Sequence, residues 1–113
     1  MHEAGIMQSA LDLACDLARK GRGHRVTKLV LTVGSLSSAV PESLRFAFDA
    51  LSPATMAEGA FLDIQWVEAA CRCTVCDKTF PFEENGYICP ACGEASLNLL
   101  RGRELELTTV EWI

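Results

Sequence analysis

Five of the six cysteines in this 113-residue chain lie between Cys71 and Cys92. Two Cys-x-x-Cys pairs, Cys73/Cys76 and Cys89/Cys92, stand either side of the twelve residues 77–88. A two-residue gap lets both sulfurs of a pair reach one ion from a single tight turn, and two such turns supply the four soft ligands that zinc takes at about 2.3 Å. In Cys89-Pro90-Ala91-Cys92-Gly93 the proline fixes φ after the first sulfur, and the glycine can adopt the left-handed conformation after the second. The pattern predicts a zinc site of Cys73, Cys76, Cys89 and Cys92. Four sulfurs close the coordination sphere, so such a site stabilises structure and leaves no position for catalysis. A pair of disulfides would need an oxidising compartment, to which nothing in the chain points. A thiol–disulfide enzyme fits poorly, because its reactive pair sits at a helix start after a strand and zinc would silence it. Cys71 forms Cys-Arg-Cys with Cys73 and could shield the zinc, substitute for a ligand or remain a spare thiol; since Cys73 gives two equal knuckles, it is preferred as the ligand.

The other unusual feature is the start, Met1-His2-Glu3. Methionine aminopeptidases require a small second residue, so His2 should leave Met1 in place. An α-amine, the backbone nitrogens after it and an imidazole can lie in one plane around Ni(II) or Cu(II). The ion must displace protons from these nitrogens, so affinity should fall at acid pH. Cu(II) prefers the same donors, so selectivity would have to come from metal availability and partner identity. These three residues alone do not establish a metal role. Cys15 has no Cys or His three or four residues away and reads as small helical filler; His24, beside Arg25, reads as a solvated residue.

The elements that must position these residues follow from periodicity. Ile6, Ala10, Leu13, Ala14 and Leu17 share one helical face over residues 4–20, with Leu11, Cys15 and Ala18 on its flank, and Lys20-Gly21-Arg22-Gly23 ends the helix. Residues 26–33 read as a strand with Leu29, Leu31 and Val33 on one side. Pro41 opens a second helix with a stripe of Leu44, Ala47, Phe48 and Leu51, and Ser52-Pro53 stops it. Residues 60–67 form a second strand, with Leu62, Ile64 and Trp66 on one side; the intervening helix predicts a parallel crossover. Residues 104–112 form a third strand, in which Leu105 and Leu107 differ in parity from Val110 and Trp112, so a bulge is expected near Thr108 or Thr109. The expected fold class is α+β: a small three-stranded mixed sheet with two helices, plus an inserted zinc-ribbon-like module. Residues 1–69 with 103–113 make the first unit and residues 70–102 the second, which should leave and rejoin the first at neighbouring points.

Composition narrows the function. Half the chain is apolar, so it can bury a core, but one small enough to benefit from a metal staple. The net charge of −5 argues against nucleic-acid binding, and the cysteine-rich module is itself neutral: Arg72, Lys78, Arg101 and Arg103 balance Asp77, Glu83, Glu84 and Glu94. No apolar run approaches a membrane span, and the first residues do not resemble a signal peptide, so a reducing, cytoplasmic home is expected.

Taken together, Met1-His2-Glu3, residues 33–37 (Val-Gly-Ser-Leu-Ser), residues 41–48 (Pro-Glu-Ser-Leu-Arg-Phe-Ala-Phe), residues 57–60 (Ala-Glu-Gly-Ala), the two cysteine pairs and residues 102–105 (Gly-Arg-Glu-Leu) resemble the HypA/HybF family of hydrogenase maturation factors over essentially the whole chain. The resemblance implies a nickel metallochaperone, not an enzyme, which helps load Ni(II) into the large subunit of [NiFe] hydrogenase with a HypB-type GTPase as partner. It implies nickel ligation by the α-amine of Met1, the imidazole and backbone nitrogen of His2 and the backbone nitrogen of Glu3, with Glu42 as an auxiliary candidate. It places structural zinc on Cys73, Cys76, Cys89 and Cys92. A homodimer is one assembly open to such a protein. The alternative is a zinc-stabilised adaptor in metallocentre assembly with no nickel site of its own, which would bind the same partners independently of nickel.

Overall fold

The computed structural model describes residues 3–113, so Met1 and His2 lie outside the described residues. The element order is α1 (Glu3–Lys20), β1 (Val26–Gly34), α2 (Pro41–Leu51), β2 (Phe61–Val67), β3 (Ala70–Arg72), β4 (Thr79–Pro81), β5 (Leu99–Arg101) and β6 (Leu105–Trp112). One sheet has the order β2-β1-β6, with β2 parallel and β6 antiparallel to β1; the other, β4-β3-β5, is antiparallel throughout. The first is the expected mixed sheet with its two helices. The second lies among the cysteines and was not foreseen, because three-residue strands are too short to display alternation.

Leu29, Leu31 and Val33 are buried on one face of β1 and pack with Leu44, Ala47 and Phe48 of α2 and Leu62 of β2 in the main core. The parity slip in β6 is resolved at Thr108: Val30 pairs with Thr109 and Leu31 with Leu107. The extra residue uses its hydroxyl, Oγ1 lying 3.0 Å from Thr32 Oγ1 and donating to Val30 O at 3.2 Å. A bulge there lets Leu105, Leu107 and Val110 all pack against the core despite their unequal spacing.

Two expected faces are corrected. In α1 the fully buried residues are Met7, Leu11, Ala14 and Ala18, with Ala10 and Cys15 nearly so, whereas Leu13 and Leu17 are 49% and 41% exposed. The flank is the core side, because α1 must contact α2 and the sheet at once and is rotated toward both; the small Cys15 and Ala18 allow that close approach. Leu11→Ala should therefore cost about 2–5 kcal/mol, and Leu13→Ala less than about 1 kcal/mol, in denaturant unfolding. In β2, Leu62 is buried and Ile64 half-buried, but Trp66 is 45% exposed and donates its indole N–H to Glu68 Oε1 at 2.8 Å. Trp66 stands past the helical cover, lining a hollow with Phe80 and Pro81 where the two sheets meet.

That meeting point is tightly stitched. Gly34 N donates to Glu104 O at 2.7 Å, Ser35 N to Val67 O at 2.9 Å and Leu36 N to Gly102 O at 2.7 Å. Ala69 N donates to Ser35 Oγ at 2.9 Å, and Gly102 N to Glu104 Oε1 at 2.7 Å. There is no room for side chains: a Cβ on Gly34 would stand 2.1 Å from Gly102 O, and one on Gly102, whose φ is +127°, would stand 2.4 Å from Ala69 Cβ. The neighbour of Gly34 is backbone and cannot turn away. Gly34→Ala should thus lower unfolding free energy by at least about 3 kcal/mol, and Gly102→Ala should do the same through both contact and φ; thermal melts of the two variants check this.

Candidate metal centre

The β3–β4 and β5 strands hold the base of the four-cysteine cluster. Its small core consists of buried Cys71, Cys73, Phe80 and Cys89, with Cys76, Phe82, Tyr87 and Leu99 packed around it. Each cysteine pair folds into the same knuckle. Cys73 N donates to Lys78 O at 2.8 Å and Asp77 N to Cys73 O at 3.0 Å; Cys89 N donates to Glu94 O at 2.9 Å and Gly93 N to Cys89 O at 2.8 Å. The residue after each second cysteine is left-handed, Gly93 at φ 77° and Asp77 at φ 66°. Aspartate is among the few non-glycine residues that tolerate that region.

The four Sγ atoms all lie within 4.8 Å of one another, with Cys73 and Cys92 3.5 Å apart and Cys76 and Cys89 3.7 Å apart. A tetrahedron with bonds of about 2.3 Å has edges of about 3.8 Å, so these separations suit zinc. Among the described residues this is the one group of three or more Cys, His, Asp or Glu side chains that could hold a metal.

The thiols differ in acidity for local reasons. The backbone N–H groups of Cys76 and Val75 point at Cys73 Sγ, both at 3.4 Å, and hold it down to about 6. The N–H of Cys92, with that of Ala91, lowers Cys89 against the opposing effect of burial. Against a lowering hydrogen bond from the backbone of Glu94, the sulfur of Cys73, burial and the remaining sulfurs push Cys92 up to about 12. Cys76 is likewise raised: the Lys78 backbone lowers it, but burial and the sulfurs of Cys73 and Cys89 prevail. The fold therefore makes Cys73 and Cys89 the readier pair to ionise, while Cys76 and Cys92 resist ionising beside them. A dication removes that conflict, which makes the donor set suited to a divalent metal.

Cys71 stands outside the sulfur group. It pairs with Phe80 and Leu99 in the register of the second sheet and is fully buried, and burial raises its thiol. Cys15 is buried in the main core. His24 is exposed, in the turn before β1.

Of the residues expected at the chain start, Glu3 is the first residue of α1, and its Oε2 accepts a hydrogen bond from Val40 N at 3.2 Å. Val40 is the N-cap of α2 and that helix has no side-chain cap of its own, so Glu3 ties the start of one helix to the start of the other. Glu42 lies in the first turn of α2, where a carboxylate complements the helix dipole. The structure brings Glu3 and Glu42 to one hollow of about 500 Å³ between the two helices. What sequence reading missed here is Phe46, which protrudes beside them and is 77% exposed; it lies outside the stripe of Leu44, Ala47, Phe48 and Leu51, and no role was read for it.

The family model described as hydrogenase/urease nickel incorporation metallochaperone HypA matches residues 1–112. The hydrogenase maturation factor HypA of Methylocella silvestris is 41% identical over 111 residues, covering 98% of both chains. That of a Picosynechococcus species is 37% identical over 113 residues, covering both chains completely. In fold, the chain is similar to the solution structure of the Ni metallochaperone HypA from Helicobacter pylori, with a TM-score of 0.70 at 23% identity, over 100% of this chain and 98% of that one. With a match that takes in Met1, His2 and Glu3 as well as both cysteine knuckles, the chain belongs to the HypA family of nickel-incorporation metallochaperones that serve hydrogenase maturation.

Proposed function

We propose that this chain carries Ni(II) on the α-amine of Met1, the imidazole and backbone nitrogen of His2 and the backbone nitrogen of Glu3. It would pass the ion toward the large subunit of a [NiFe] hydrogenase in the cytoplasm, with a HypB-type GTPase as working partner. We assign Cys73, Cys76, Cys89 and Cys92 to a structural zinc, residues 70–102 to the zinc-binding unit, and residues 1–69 with 103–113 to the nickel-carrying unit. The observation that supports this best is the extent of the family match, which spans residues 1–112 and so includes the Met-His-Glu start.

The chain's own groups fit these roles. Glu3 Oε2 is occupied with Val40 N, so that carboxylate organises the helix starts, and its residue offers the ion a backbone nitrogen. Glu42, across the shared hollow, is an auxiliary carboxylate for the cargo. In the other unit the knuckle amides of Val75 and Cys76 steady the Cys73 thiolate. Zinc, when bound there, supplies folding energy to a unit whose own apolar core is small.

Nitrogen donors at a chain start bind nickel while leaving one side of the ion open to a competing ligand set, so delivery is ligand exchange, not turnover. The test is metal stoichiometry in three proteins: the parent chain, His2→Ala, and the chain with its α-amine acetylated. Nickel should be lost from both altered proteins while zinc stays, and an unaltered nickel content would overturn the reading.

A further inference from the structure

The hollow between the starts of α1 and α2 has the character of a docking seat. Its floor is apolar, made by Ala4, Ala47, Ala50 and Leu51, and Phe46 stands at its side. A phenylalanine that is 77% exposed on a well-formed helix contributes nothing to the core and places a large apolar surface in water. Aromatic side chains presented in this way are the usual anchors of protein interfaces.

Among the described residues the charged side chains at its edge have one sign. Glu42 lies one turn before Phe46 and Asp49 one turn after, both exposed, and Glu3 edges the hollow. The only cation of α2, Arg45, donates its guanidinium to Leu62 O at 3.0 Å, over β2. An apolar knob in an acidic rim is complementary to an apolar pocket ringed by Lys and Arg, and it is unsuited to an anionic membrane surface.

Position adds the third element. Glu3 and Ala4, which follow directly on Met1-His2, line this same hollow. We propose that the α1–α2 hollow, anchored by Phe46, is the seat for a partner protein that presents a basic-rimmed apolar pocket. The inference rests on the nickel reading above for its purpose: a protein seated there meets the chain immediately beside the proposed cargo donors.

The experiment measures binding of the intact, zinc-loaded chain to the purified cognate GTPase and, separately, to the purified cognate hydrogenase large subunit, at low and high salt. Phe46→Ser and Asp49→Lys are compared with the parent, because both residues are exposed and neither is a proposed metal donor. For at least one partner, Phe46→Ser should weaken binding tenfold or more and Asp49→Lys should weaken it several-fold, with the parent complex weakening as salt rises. Nickel and zinc content should be unchanged in both variants. Equal affinity of Phe46→Ser and the parent for both proteins, or no binding of the parent to either, overturns the seat. Tighter or unaltered binding by Asp49→Lys overturns the basic partner. If Phe46→Ser instead abolishes self-association of the parent in sedimentation, the occupant is a second copy and the proposal fails. Failure of the nickel reading shows itself separately, as nickel retained by His2→Ala.

Discussion

Cys89→Ser should reduce bound zinc from one equivalent per chain to none and unfold residues 70–102, while the β2-β1-β6 sheet keeps its hydrogen-exchange protection. The reason lies in how little else holds that unit together. Its buried apolar side chains amount to Ala70, Phe80 and three cysteines, two of which are in the sulfur group, and its strands are three residues long. A structural zinc contributes on the order of 10 kcal/mol in comparable sites, more than such a core can supply. Serine keeps the shape of Cys89 but offers a hydroxyl that does not ionise at neutral pH. The main core is a separate cluster and includes none of the four paired cysteines, so the loss should stop at the Gly34–Gly102 junction. Protection retained in β3, β4 and β5 after zinc is removed would contradict this. Acid should act in the same direction. The folded unit can present Cys73 as a thiolate down to about pH 6, but Cys92 sits near 12 and is ionised at neutral pH only when a cation compensates it. Zinc binding therefore releases protons and affinity falls as pH falls, so acid should strip the metal.

His2→Ala should abolish nickel binding and leave zinc at one equivalent. An α-amine titrates near 8 and an imidazole near 6.5, and the backbone nitrogens must also give up their protons. Nickel affinity should thus climb with more than one proton released per ion between about pH 6 and pH 8. Alanine removes the imidazole, and acetylation of Met1 removes the amine from the donor set by turning it into an amide; either change breaks the planar array. Isothermal titration in two buffers of different ionisation enthalpy, repeated at several pH values, counts the released protons directly. A nickel affinity that is flat with pH, or equal in the parent and the acetylated chain, would place the ion elsewhere. Glu42→Gln tests the auxiliary carboxylate and should change affinity by less than tenfold, because one exposed oxygen donor adds little to a nitrogen set.

Much of this was legible in the order of residues. The two knuckles could be read because a Cys-x-x-Cys turn is a local object: its closure depends on two intervening residues and on the left-handed residue behind it, here Gly93 and Asp77. The mixed sheet could be read because β1, β2 and β6 are seven to nine residues long, enough for period-two alternation to appear. Even the bulge at Thr108 was visible, as a change of parity between Leu107 and Val110.

What tertiary structure decided was everything that depends on which surface meets which. The burial of Met7, Leu11 and Ala18 in place of Leu13 and Leu17 follows from the angle at which α1 lies across α2 and the sheet, and helical periodicity records spacing without recording that angle. The strands β3, β4 and β5 are three residues each and pair across the knuckles, so their register is a long-range fact that no local window contains. The fit of Gly34 against Gly102 and Ala69 joins residues far apart in the chain, so no local window contains it. The hollow that gathers Glu3, Glu42 and Phe46 has the same origin: a sequence states the chemistry of each side chain, while their meeting is settled by how two helices, separated by a strand, come to rest against each other.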